Sequence, residues 1–208
     1  AVGHAAGEAV STGTLNTIVG GLAGDAISTG TANTLFGYNA GGAITTGDGN
    51  TAFGKDALEL NTSGINTAVG GNALAAVTTG TSNTAVGQDA LTANTASRNT
   101  AVGAYALDAN TTGDNNTAVG ENAGTATTTG HNNTFIGQDA GEANLTGDYN
   151  VAVGSDALDA ASSADYNVAV GASALSAVTT GTNNVAVGTD AGASATTVDN
   201  NTAIGHFA

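Results

Sequence analysis

The sequence predicts an all-β fold, a parallel β-solenoid or β-roll built of 16- and 17-residue coils, and three observations carry that prediction. The pentapeptide NTAVG at 66–70 returns at 83–87, 99–103 and 116–120, and as NVAVG at 150–154, 167–171 and 184–188. With its last glycine as anchor, thirteen anchors run from Gly3 to Gly205 in ten steps of seventeen residues and two of sixteen. Finally, Gly, Thr and Asn recur too densely for helix, and no 3.6-residue apolar stripe survives. The period covers residues 1–208 as one repeat domain of about twelve coils. The chain opens on AVG and closes on IGHFA, both in mid-repeat, so it reads as a segment of a longer array.

Each period begins with a strand. β-Branched residues stand one and three places before the anchor, so the pentapeptide reads as a short strand ending at glycine. The turn glycines are Gly20, Gly37, Gly54, Gly70, Gly87, Gly103, Gly120, Gly137, Gly154, Gly171 and Gly188. A second turn follows ten residues on, at Thr45-Thr46-Gly47, Thr79-Gly80 and Thr129-Gly130. Two turns per period describe a two-strand coil that buries a narrow core by stacking on its neighbours. At strand spacing the array makes a rod of roughly 58 Å. The two short repeats each lose a residue after the second turn, at Gly64-Ile65-Asn66 and Ser97-Arg98-Asn99, where a loop absorbs the change.

Asparagine precedes every complete anchor by four places: Asn16, Asn33, Asn50, Asn66, Asn83, Asn99, Asn116, Asn133, Asn150, Asn167, Asn184 and Asn201. Amides stacked at strand spacing can hydrogen-bond up the column, so these residues read as a structural ladder. Leu and Gly alternate in blocks four after the anchor, with Leu58, Leu74, Leu91 and Leu107 between Gly41 and Gly124. The leucines read as added core or interchain packing.

All seventeen acids, with Lys55 and Arg98, fall one, two, five or eleven residues after an anchor. Those columns are solvated rims. No charge enters the four residues before an anchor, although a strand with one wet face should carry some. The strand is therefore expected to be covered on both faces, with the Val column filling the coil's own core. Its other face, lined by Asn and by Ala52, Ala68, Ala85, Ala101 and Ala118, is expected to meet a neighbouring chain.

Composition argues against catalysis. There is no cysteine for a disulfide or thiolate site, and His4, His131 and His206 are scattered. No phosphate-binding loop motif occurs, and two basic residues against a net charge of −15 set nucleic acid aside. No catalytic, cofactor-binding or metal site is expected. Calcium on the acidic columns stays open as the one cofactor, since carboxylate oxygens suit hard cations. No run resembles a signal peptide or a membrane span, so direct membrane insertion is not expected.

The core pattern N-x-A-[VI]-G-x-x-A, followed by TTG, resembles the YadA-like head repeats of trimeric autotransporter adhesins. It resembles still more the NNTAVG repeat arrays of phage tail-fibre proteins. The adhesin repeat is nearer fourteen residues, so this coil is longer. The resemblance implies a left-handed roll, a homotrimer whose inner strands share a core, and a rigid shaft or head of a surface adhesin or tail fibre. Its implied place is extracellular, on a cell surface or virion, and its partners are its own copies and a cell-surface glycan or protein receptor. Tyr38, Tyr105, Tyr149 and Tyr166 are the variable aromatic positions on which such recognition could draw. The alternative from another class is an ice-binding solenoid, because Thr17, Thr34, Thr51, Thr67, Thr84, Thr100, Thr117 and Thr134 form a column that Val151, Val168 and Val185 interrupt.

Overall fold

The computed structural model describes residues 1–62 and 64–208. The strands are β1 (Thr17–Val19), β2 (Thr34–Phe36), β3 (Thr51–Phe53), β4 (Asn66–Val69), β5 (Asn83–Val86) and β6 (Thr100–Val102). They continue as β7 (Thr117–Val119), β8 (Thr134–Ile136), β9 (Val151–Val153), β10 (Val168–Val170), β11 (Val185–Val187) and β12 (Thr202–Ile204). They form one twelve-stranded parallel sheet in sequence order. Registers pair like with like, as Thr100 with Thr117, Ala101 with Ala118 and Val102 with Val119. The molecule is a parallel β-solenoid, and among the described residues there is no helix.

Among the described residues each coil has one strand rather than two. The leg expected to hold a second strand is a run of overlapping turns, as in Ala106 N–H to Gly103 O, Asp108 N–H to Tyr105 O and Asn110 N–H to Leu107 O. Left-handed residues recur two and four places after the anchor, as at Tyr105 (φ 59°) and Leu107 (φ 51°). A strand cannot reverse every two residues, so glycine, Asn, Asp and Leu in left-handed geometry replace it. Hydrogen bonds between coils still continue through this leg, from Leu107 N–H to Ala123 O at 3.0 Å and from Ala109 N–H to Thr125 O at 3.2 Å.

The anchor glycines hold φ between 133° and 148° from Gly20 to Gly188. A Cβ at Gly103 would overlap the carbonyl of Gly120 on the next coil. Both the dihedral and the close approach of backbones require glycine here.

The sheet's two faces are reversed from the expectation. Asn and Ala, four and two places before the anchor, point inward, whereas Thr and Val, three and one before it, point out. Ala52, Ala68, Ala85, Ala101, Ala118, Ala152, Ala169 and Ala186 are fully buried. The Val column is part-exposed or exposed along its length. The physical reason is width. The turn leg lies so close behind the sheet that an alanine on the strand leaves room for one leucine from across the coil.

That constraint accounts for the Leu and Gly blocks. Where the strand centre is Ala52, Ala68, Ala85, Ala101, Ala152 or Ala169, the residue four after the anchor is Leu58, Leu74, Leu91, Leu107, Leu158 or Leu175, all buried. Where the centre is Leu35 or Phe135, Gly41 or Gly141 follows. At Gly24 a Cβ would come within 2.6 Å of Leu35 Cδ1 and 2.9 Å of Ile27 Cδ1. Where the centre is Ala118 or Ala186, Gly124 or Gly192 follows, and the space is taken by Phe135 and Leu107 or by Leu175 from adjacent coils, so bulk is exchanged between strand and turn leg both within a layer and between neighbouring layers.

The two short coils differ from each other. In the coil from Gly54 the residue before Asn66 is missing, because Ile65 O accepts Ser82 N–H at 2.7 Å as Thr81 O accepts Arg98 N–H at 3.0 Å. That agrees with the expected place. In the coil from Gly87 the lost residue precedes the turn, and Ala96 stands in the glycine's position. Its carbonyl accepts Asn83 Nδ2 at 2.8 Å, as Gly80 O accepts Asn66 Nδ2 at 2.8 Å. Arg98 consequently occupies the left-handed place (φ 59°) beside Ser82 and Asn115, not the acidic column.

Candidate functional site

Two surfaces follow from this geometry: an inner polar ladder that holds the coils in register, and an outer face that the sheet presents to its surroundings. In the ladder, Asn50 N–H and Asn50 Nδ2 donate to Asn33 Oδ1 at 2.8 and 3.1 Å. Asn33 Nδ2 donates in turn to Gly47 O at 2.8 Å. The same pattern runs from Asn116 to Asn133 and Gly130. Each amide therefore joins two coils and also ties the strand to the turn opposite. Ten ladder residues, from Asn33 to Asn184, are buried. Asn16 is half-buried and Asn201 exposed. A full set of partners makes these buried amides tolerable.

A second buried asparagine column was not anticipated. Asn61, Asn94, Asn110 and Asn144 lie seven residues after their anchors, where other coils place Ile27, Ile44, Val77 or Val178. Asn110 Nδ2 donates to Gly113 O at 2.9 Å and Asn110 Oδ1 accepts Gly113 N–H at 3.1 Å, and Asn144 repeats this with Gly147. The available signal was the spacing N-x-x-G at Asn110-Gly113 and Asn144-Gly147. Asn side chains commonly close such turns on their own backbone.

The outer face carries Thr and Val columns side by side along the twelve strands. It has no charged residue. Phe36 and Phe53 lie on it, 45% and 52% exposed, with rings stacked at 4.8 Å and inclined by 6°. Val86, Val102, Val119 and Ile136 are also exposed. An uncharged β-branched and aromatic stripe of this length is apolar surface that a partner would remove from water.

The acids lie on the rims as expected, and none is fully buried, although Asp108 and Asp159 are half-buried. Asn39, Asn72 and Asn122 donate to Asp56, Asp89 and Asp139 on following coils at 2.8 to 2.9 Å. Among these amides Asn72 stands between the coils bearing Asp56 and Asp89, whereas Asp139 and Asp156 occupy adjacent coils. Lys55 pairs with Asp56. Burial pushes the carboxyls of Asp108 and Asp159 above the usual range, and the negative charges of Asp89, and of Asp156 and Asp139, add to it. Among the described residues no group of three or more His, Asp or Glu is placed to hold a metal ion. Tyr38, Tyr105, Tyr149 and Tyr166 are all exposed, and Tyr149 stacks on Tyr166 at 5.0 Å. No helix is long and apolar enough to cross a membrane among the described residues.

The sheet, the stacked turns and the ladder define the class, a parallel β-solenoid repeat protein. No family model, curated protein or solved structure matches the chain.

Proposed function

We propose that this chain is a non-enzymatic structural and adhesive repeat domain, the rigid shaft or head of a surface adhesin or phage tail fibre. In this reading three copies of a left-handed coil pack their outward sheet faces around a common axis, outside the cell or on a virion. The observation that carries it is the uncharged Thr/Val face with its stacked Phe36 and Phe53. A face meant for water would carry the charges that this chain keeps on its rims. Closed threefold symmetry would cover the face on every copy at once. The rims and exposed tyrosines remain outside to meet a glycan or protein receptor. Calcium bridging between acidic columns stays open as an accessory to the same assembly.

Light scattering of the native particle across a concentration series tests the assembly. A mass of three chains supports the trimer, and a stable monomer overturns it. One observation favours a second reading, ice binding: the Thr column lies on the outward face at strand spacing. Phe36 and Phe53 project from that face and Val151, Val168 and Val185 break the column, so fibre assembly is the better fit. A monomer that slows ice recrystallisation would reverse that order.

A further inference from the structure

We propose that His131 makes one joint between coils sensitive to mild acid. Near the second turn, the residue following the turn glycine, or following Ala96 in the coil from Gly87, presents its backbone N–H along the solenoid axis. A side chain at the same place on the next coil accepts it. Asp48 Oδ1 accepts Thr31 N–H at 2.7 Å, Ser97 Oγ accepts Thr81 N–H at 3.0 Å and Asp114 Oδ1 accepts Ser97 N–H at 2.8 Å. Asp165 Oδ1 accepts Asp148 N–H at 2.8 Å and Asp199 Oδ1 accepts Thr182 N–H at 2.7 Å. In the middle of this run the acceptor is an imidazole: His131 Nδ1 receives Asp114 N–H at 2.9 Å.

This bond requires Nδ1 to be unprotonated, which places the neutral ring's hydrogen on Nε2. Carboxylate and hydroxyl rungs remain acceptors through the mildly acidic range. Histidine is the one member of the series that changes charge between about pH 5 and 8. A proton on Nδ1 turns the acceptor into a donor facing the Asp114 N–H, so the rung is lost.

Charged groups lie on both neighbouring coils. Asp114 lies on the preceding coil, its Oδ2 shared with Arg98 Nη2 at 3.4 Å. On the following coil Asp148 Oδ1 holds the His131 backbone N–H at 2.6 Å, with Asp165 beyond it and Tyr149 N–H bonded to His131 O at 3.1 Å. The two flanking carboxylates attract an imidazolium ring, which can turn to donate to one of them once it has released the amide. The remaining bonds of the coil, including the Asn116 to Asn133 rung, stay in place. The result is a local opening at one edge, not unfolding.

Amide hydrogen exchange followed by NMR at about pH 7.5 and 5.5, corrected for intrinsic exchange, tests this independently of oligomeric state. The Asp114 amide should lose protection by about tenfold, as expected for one lost hydrogen bond, while Ser97 and Asp148 amides hold theirs. In His131→Asp, which installs the residue of the neighbouring rungs, the Asp114 amide should keep its protection at both values. His131→Ser, which copies the hydroxyl rung at Ser97, serves the same purpose if the aspartate column proves too acidic to fold. Unchanged Asp114 protection in the native chain, or an equal loss in either folded variant, overturns the proposal.

Discussion

Phe135 of β8 and Gly141, six residues later, are complementary halves of one core layer: the phenyl ring fills the space that a side chain at 141 would need. A Cβ there would overlap the ring's Cδ1 and Cε1. Left-handed geometry is not the obstacle, because Leu158 and Leu175 hold φ of 56° and 52° at the equivalent place. Gly141→Leu should therefore destabilise the chain through overpacking, by about 1–3 kcal/mol or more. Phe135→Ala should cost about 3–5 kcal/mol through its cavity. The double variant recreates the Ala/Leu layer found at Ala152 and Leu158 and should recover most of the loss. A denaturant double-mutant cycle reads the coupling, and additive costs would refute the volume exchange.

The ladder makes a positional prediction. Asn116→Ala removes the acceptor of Asn133 N–H and the donor to Gly130 O, leaving each buried group without its bond at about 1–3 kcal/mol apiece. Asn201→Ala, at an exposed rung, should cost much less. Urea midpoints of the two variants make the comparison.

Thr127 stands in the column that holds Ile27, Ile44, Val77 and Val178 on other coils and Asn110 and Asn144 on the two flanking ones, and its buried Oγ1 has no hydrogen-bond partner. Thr127→Val should stabilise the chain by about 1 kcal/mol or more, because it removes a buried unsatisfied hydroxyl at nearly constant volume. A lower urea midpoint in the variant would contradict this account.

If the outer face mediates assembly, Val102→Glu with Val119→Glu should reduce the particle to single chains while leaving the far-ultraviolet circular dichroism unchanged. Both side chains point away from the core and are exposed, so the coil has no need of them. Loss of the β signal would instead show that the face supports the fold itself.

Asp108 and Asp159 each have a folded-state carboxyl raised by burial and then by neighbouring acids. The unfolded chain ionises these groups more readily, so their contribution to stability is present below the ordinary carboxylate range and lost as pH rises through the raised value. Asp108→Asn and Asp159→Asn should raise the melting temperature at neutral pH. The gain should vanish below about pH 4, where the native carboxyls are also neutral. Melting curves at both pH values decide it.

The ladder of Asn33 to Asn184 and the anchor glycines were legible because each must repeat in register: an amide column works only if every coil supplies its amide, and a close backbone approach only if every coil supplies glycine. Parallel stacking and strand position follow from that period. The single-strand coil was not legible, since alternating left-handed turns at Tyr105 and Leu107 leave no periodic signature distinct from a loop. The loss in the coil from Gly87 was misplaced because Ala96 assumes the glycine's role without its identity.

The sequence by itself therefore determined that this protein is a stack of like coils, with charges on its rims and an uncharged strand in each period. Only the tertiary structure decided which side of that strand faces in. Alternation separates Asn and Ala from Thr and Val, but both pairs are small and uncharged, so pattern alone does not orient them. The choice rests on distance: the turn leg approaches the sheet closely enough to accept alanine with a leucine opposite, or phenylalanine with a glycine, and the valines are left on the outside.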